Sequence, residues 1–159
     1  MCTDHYRAPL LLASALAIFA ATVRAEPPPA SYCEVAIDFS LDGKHVATPS
    51  AIVVFGEEAE VTIGNPDEHA WRFRILADAP AVVRRVNVIP VSIALDEIAK
   101  GEAYAKASPS LKAVPGQRAD IEAIFGNGDG RRAHLTVVAN PRSGADVEAI
   151  KQSSDGSGP

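Results

Sequence analysis

The residues best suited to chemistry in this chain are His45, His69 and His134, because imidazole can act as acid, base or metal ligand near neutral pH. None of the three has a second histidine or a cysteine at metal-ligand spacing. His69 follows Asp67 and Glu68 in a loop, a set that would hold zinc only weakly. Neither Ser108 nor Ser110 opens a Ser-x-x-Lys motif, and no Gly-x-Ser-x-Gly elbow occurs. A triad dispersed along the chain would be visible only as geometry. Residues 125–131 (FGNGDGR) invite comparison with phosphate and calcium loops. A phosphate loop opens a helix carrying Lys and Ser/Thr, whereas an alternating strand pattern follows here. A calcium loop needs more side-chain oxygens than Asn127 and Asp129 supply. The segment reads as a hairpin tip. No catalytic, cofactor-binding or metal-binding residue is assigned, and no cofactor is expected.

The segments that carry these residues begin with an export signal. Residues 1–25 read as a secretory signal peptide: a head containing Arg7, an apolar run over 10–21, and Val23-Arg24-Ala25 before the cleavage point. The run is shorter than the roughly 20 residues of a membrane span, so cleavage after Ala25 is preferred to a retained anchor. Cys33 follows Ser31-Tyr32 rather than a lipobox. Cleavage changes the formal charge of −5 to −6 by removing Arg7, Arg24 and Asp4. That excess argues against a nucleic-acid partner, which would call for a basic stripe. Cys33 is then the one remaining cysteine, so no internal disulfide forms. It keeps step with Val35, Ile37, Phe39 and Leu41 on one strand face, which predicts a buried, inert thiol; intermolecular pairing is the alternative.

Residues 26–31 (EPPPAS) form an extended Pro-rich leader. A single β domain over 32–141 follows. Cys33 to Leu41 alternate at period two, and Asp42-Gly43 is a hairpin turn signal. Residues 50–55 are an almost continuous apolar run, which predicts burial on both faces, although Pro49 confines the start of the strand to an edge or bend. Residues 58–63 place Glu58 and Glu60 opposite the face of Val61, and Arg72 and Arg74 similarly oppose Trp71 and Phe73. A hairpin of these strands sets an acidic outer face against a basic one. Asp120 and Glu122 meet Arg132 and His134 in the same way further on. Residues 81–95 change phase at Pro90, as a bulge or strand corner does. Residues 96–106 read as a turn and short strand, or a helical turn, inserted between two units. Residues 142–159 read as a disordered tail with at most one helical turn near 147–151.

Residues 47–63 (ATPSAIVVFGEEAEVTI) return in weaker form at 107–121 (ASPSLKAVPGQRADI). The copies share Ala47/Ala107, Pro49/Pro109, Ser50/Ser110, Val54/Val114, Gly56/Gly116 and Ala59/Ala119. Each copy leads into a turn-rich loop and an alternating strand, which suggests duplication of one β-unit, with units over about 33–79 and 82–141. The expected fold is an all-β sandwich of two related four-strand antiparallel units; a closed barrel is the alternative.

The pattern Pro49-x-x-x-x-Val54-x-Gly56-x-x-Ala59-x-Val61, with its copy at 109–121, resembles a motif of β-rich modules in secretins, the outer-membrane gates of bacterial secretion systems. No long amphipathic membrane hairpins follow, so the resemblance implies a small exported relative suited to protein–protein contact and not a channel. It carries over no functional residue. The resulting expectation is a periplasmic or secreted, non-catalytic binding or assembly module of the bacterial envelope, with an envelope protein as partner and no stable membrane insertion after signal cleavage. A small periplasmic hydrolase with dispersed residues and a carrier of a small apolar ligand are the alternatives.

Overall fold

A computed structural model describes residues 31–126 and 130–155. The expected signal peptide, the leader up to Ala30, hairpin-tip residues 127–129 and the last four residues lie outside them. Period-two alternation governs the fold. In β1 (Tyr32–Leu41) the side chains of Cys33, Val35, Ile37 and Phe39 are buried while Ala36 and Asp38 are exposed. Asp42 and Gly43 turn the chain with φ of 48° and 78°, as a type I′ turn requires. β2 (Lys44–Ala47) and β3 (Ser50–Val54) then both pair with β1. Pro49 separates them, since it lacks the N–H a continuous ladder would use. β4 (Glu58–Asn65) and β5 (His69–Ala77) form the expected hairpin, with Glu60 opposite Arg74 and Thr62 opposite Arg72.

After a short β6 (Ala81–Val83), the same order of strands recurs. β7 (Val86–Ala99) pairs with β8 (Glu102–Ala107) and β9 (Ser110–Ala113), which are separated by Pro109. β10 (Arg118–Ile124) and β11 (Arg132–Arg142) close the series as a hairpin. The hydrogen bonds are equivalent as well. Ile37 donates to the carbonyl of Pro49 and Ile93 to that of Pro109, both at 2.9 Å. Gly56 donates to Ala77 at 2.9 Å, and Gly116 to Ala139 at 3.0 Å.

The all-β sandwich is confirmed: two antiparallel sheets of five and six strands. Their membership is less obvious. The first sheet joins β1, β2 and β3 to β10 and β11, and the second joins β7, β8 and β9 to β4 and β5. Each half of the chain thus sends its last hairpin into the sheet begun by the other half, and the turns at Gly56 and Gly116 make the crossing. Phe39, Val35 and Leu135 from one sheet meet Phe73, Ile93 and Leu95 from the other in a common core. Neither half can bury its apolar faces without the other.

Four expectations are corrected. The 96–106 segment is no independent insertion: it holds the end of β7, a Lys100-Gly101 turn (φ 52° and 79°) and most of β8. The β1–β2 hairpin has the same turn and the same bulge, between Phe39 and Ser40 there and between Glu97 and Ile98 here. The β7–β8 hairpin is two residues longer in each strand, and a two-residue step leaves every side chain on its face. β3 is not buried on both faces, because it lies at a sheet edge with Ile52 and Val54 each 37% exposed. The tail expected to be disordered from 142 carries α1 (Gly144–Asp155). Ser143 caps it reciprocally: its hydroxyl and backbone N–H both donate to Asp146 Oδ2, at 2.7 and 2.9 Å, while Asp146 N–H returns a bond to the Ser143 hydroxyl. Val147 is buried beneath that first turn. Finally, the phase change near Pro90 does not carry a strand between sheets, since β7 stays in the second sheet throughout.

Candidate functional site

The densest set of interacting polar side chains lies at one end of the sandwich, around Glu97. This residue points inward from β7, opposite Trp71, in the row that otherwise holds Ile93 and Leu95. A carboxylate there must be compensated or it loses its charge. Compensation comes from three elements. His69 Nε2, at the start of β5, meets Glu97 Oε1 at 2.8 Å, and the Arg131 guanidinium, at the entry to β11, donates to Oε2. The Tyr104 hydroxyl lies near it and also favours the charged form. Tyr104 reaches it because it is the extra residue of the β7–β8 bulge, Glu97 pairing with Ala105 and Ile98 with Ala103; bulges re-aim side chains in this way. His69 and Arg131 occupy equivalent positions on the two exchanged hairpins, so one acid receives both.

Burial of Glu97 opposes its ionisation, but Arg131, His69 and Tyr104 outweigh it and hold the carboxyl below its usual value of 4.5. Conversely, burial and the neighbouring Glu97 carboxylate raise the Tyr104 phenol. The surroundings are aromatic: Arg131 lies 5.4 Å over the Phe125 ring, and Trp71 packs between Phe125 and His69 at centroid distances of 5.7 and 5.5 Å. A carboxyl held below its ordinary value and bonded through both oxygens is a poor proton carrier at neutral pH. The cluster joins the two sheets.

On the outside of the second sheet, Asp96 is buried beneath two arginines. Arg72 approaches Asp96 Oδ2 through Nε and Nη2 at 3.2 and 3.0 Å, and Arg74 Nη2 lies at 3.5 Å. The arginines were expected to pair with the glutamates of β4. They turn instead to the strand on their other side, because the enclosed Asp96 has more to gain from a partner than exposed Glu60.

The outer face of the first sheet brings two of the three histidines into one row. Ser40 stands between His45 on β2 and His134 on β11. Each imidazole faces an aspartate, His45 with Asp38 at 3.5 Å and His134 with Asp120 at 3.7 Å. Thr136 also donates to Asp120. A Ser-His-Asp mechanism needs the base hydrogen-bonded to the nucleophile, and the Ser40 hydroxyl bonds to neither imidazole; the two rings face Asp38 and Asp120. The adjoining hollow, about 230 Å³, is lined by Asp38, Thr48, Arg118 and Thr136 and lies open to solvent. His69 is on the other sheet, facing Glu97 rather than Asp67 and Glu68. Ser108 and Ser110 flank Pro109 beside an open groove of about 330 Å³ that includes Glu58 and Arg74. Among the described residues no three His, Cys, Asp or Glu side chains are grouped to hold a metal ion.

Cys33 is completely buried between the sheets. Burial pushes its thiol up to about 11; a backbone bond from Asn140 offsets part of this and the charge of Glu34 adds to it. The thiolate is the reactive form. In the folded protein Cys33 should therefore resist maleimide at neutral pH, and peptide mapping should find it labelled only after denaturant is added. Rapid labelling of the native protein would contradict its placement.

Compared with known proteins, the chain matches no family model, no curated protein and no solved structure. Sequence pattern alone does not show the Glu97 cluster, because its members are 28 to 34 residues apart, or lie on a bulge. One signal was available. Glu97 interrupts the inward alternation of Val91, Ile93 and Leu95, so its position predicted a buried acid that required partners.

Proposed function

We propose that the protein is an exported, non-catalytic β-sandwich that serves as a binding or assembly module of the bacterial envelope, taking a strand of a partner protein along a sheet edge. One observation carries this reading: the two edges of each sheet differ. On one side, Pro49 and Pro109 break the edge into strands of four to six residues, a common defence against unwanted pairing. On the other side, β4 and β10 are unbroken, with eight and seven residues, and each is hydrogen-bonded to a single neighbour strand. Such an edge offers main-chain donors and acceptors for strand addition. The self-contained pairing of Glu97, Asp96 and the histidines leaves no group in these clusters poised for chemistry. The secretin resemblance points to the same compartment and the same kind of partner. Among the described residues no helix is long and apolar enough to cross a membrane.

The test is photo-crosslinking in intact cells, with a crosslinking residue at Thr62 on β4 or Glu122 on β10. Ser92, exposed in the middle of the second sheet, serves as the control. The expected result is one discrete protein adduct from an edge position and none from Ser92. No adduct at either edge, under conditions that capture a known envelope complex, would overturn the proposal.

A further inference from the structure

Among the described residues, three two-residue hairpin turns have positive φ at both central positions. Two of them, Asp42-Gly43 and Lys100-Gly101, place glycine second, where it adopts this conformation without strain. The third, between β6 and β7, uses Arg84 and Arg85 at φ of 50° and 68°. Arginine is disfavoured at both positions, so their side chains are the reason to look for a role. Among the described residues neither arginine enters an ion pair.

These arginines cap a two-stranded ribbon that extends past the sandwich, in which every residue from Ala81 to Asn87 is exposed. Val82 is 71% exposed, Val86 46% and Val83 37%. Alternation sends Val82 to one face of the ribbon and the pair Val83–Val86 to the other. The tip thus shows Val82 beside Asn87 on one side and two valines on the other, and is doubly basic at its end, on a chain whose formal charge is −5. A strand or flat protein surface would cover one face and leave the other in water. A fluid medium of anionic headgroups and upper acyl chains surrounds both faces and pairs with the arginines. The ribbon's three residue pairs span about 10 Å, close to one screening length at physiological salt. The acidic body is therefore held largely out of range of the surface that the tip touches.

We propose that the Arg84-Arg85 ribbon is a peripheral docking element for an anionic lipid surface, separate from the edges assigned to a protein partner. It adsorbs; it does not span. The test is co-sedimentation of the exported protein with vesicles of phosphatidylglycerol and phosphatidylcholine, compared with phosphatidylcholine alone. Each arginine near such a surface strengthens partitioning about fivefold, so the anionic vesicles should bind roughly 30-fold better at physiological salt. The double variant Arg84→Asn, Arg85→Gly supplies the residues a type I′ turn prefers. It should raise the melting temperature and at the same time reduce binding to the neutral-vesicle level. Val82→Ser should weaken binding without changing its salt dependence. Equal partitioning onto both vesicle types, or full binding by the double variant, would overturn the proposal. Binding to soluble polyglutamate in place of vesicles would overturn it too, in favour of an acidic protein partner.

Discussion

Replacing Trp71 by alanine lowers the unfolding free energy by about 3–5 kcal/mol, the range for truncating a large core aromatic. Trp71 is 5% exposed and is a main contact between the sheets. Its ring meets Phe39 of the first sheet edge-on at 4.9 Å and Phe125 at 5.7 Å, geometries that add to the burial itself. Because β5 was exchanged from the other half of the chain, the cavity left by alanine lies where the two halves interlock, and the backbone there has little freedom to collapse. Trp71 is the one tryptophan, so unfolding must be followed by circular dichroism rather than fluorescence. The expected outcome is a large fall in the urea midpoint at nearly unchanged slope. A midpoint equal to that of the parent protein would show that Trp71 is not central to the core.

Glu97→Gln should cost about 2 kcal/mol at neutral pH. Removing one member of a fully buried ion pair costs roughly 3–5 kcal/mol, but the partners here are partly hydrated. The Arg131 side chain is 24% exposed and that of His69 51%, against 4% for Glu97, so screening reduces the effect. The pH dependence tests the cause. The folded-state value of Glu97 lies below its ordinary 4.5. Its ionised form therefore contributes fully above the ordinary value, and the contribution is lost as pH falls through the lower folded value. Unfolding free energies of parent and Glu97→Gln proteins, measured from neutral into acid conditions, should converge at low pH. Parallel curves at all pH values would mean that the carboxylate charge is not what the cluster relies on.

The all-β class, the Asp42-Gly43 turn, the β4–β5 and β10–β11 hairpins and the inward row of β1 were legible because each depends on residues close in sequence. Alternation marks faces, and turn residues mark reversals. The mistakes have local causes of another kind. Residues 50–55 are apolar on both faces, which suggests burial, while the edge that β3 occupies is signalled only by Pro49 at its start. Ser143 and Asp146 form a capping box that was present in the sequence, yet the polar composition around them suggested disorder. Arg72 and Arg74 were placed on the correct face but given the wrong partners, since a strand has two neighbours and only one of them was visible.

What the amino-acid sequence determined by itself was the pattern of inward and outward side chains, the positions of most turns and the repeat of the Pro–strand–Gly–strand segment. Only the tertiary structure decided which strands share a sheet. Pairing each last hairpin with the opposite half preserves every local preference that a simple stacking of two units would also satisfy. The choice lies in long-range burial, where Phe39, Trp71, Phe73 and Phe125 meet across the sheets. That exchange also carries His69 and Arg131 to opposite sides of one buried acid. The chain encodes each of those residues separately; their meeting at Glu97 is a consequence of the exchanged hairpins.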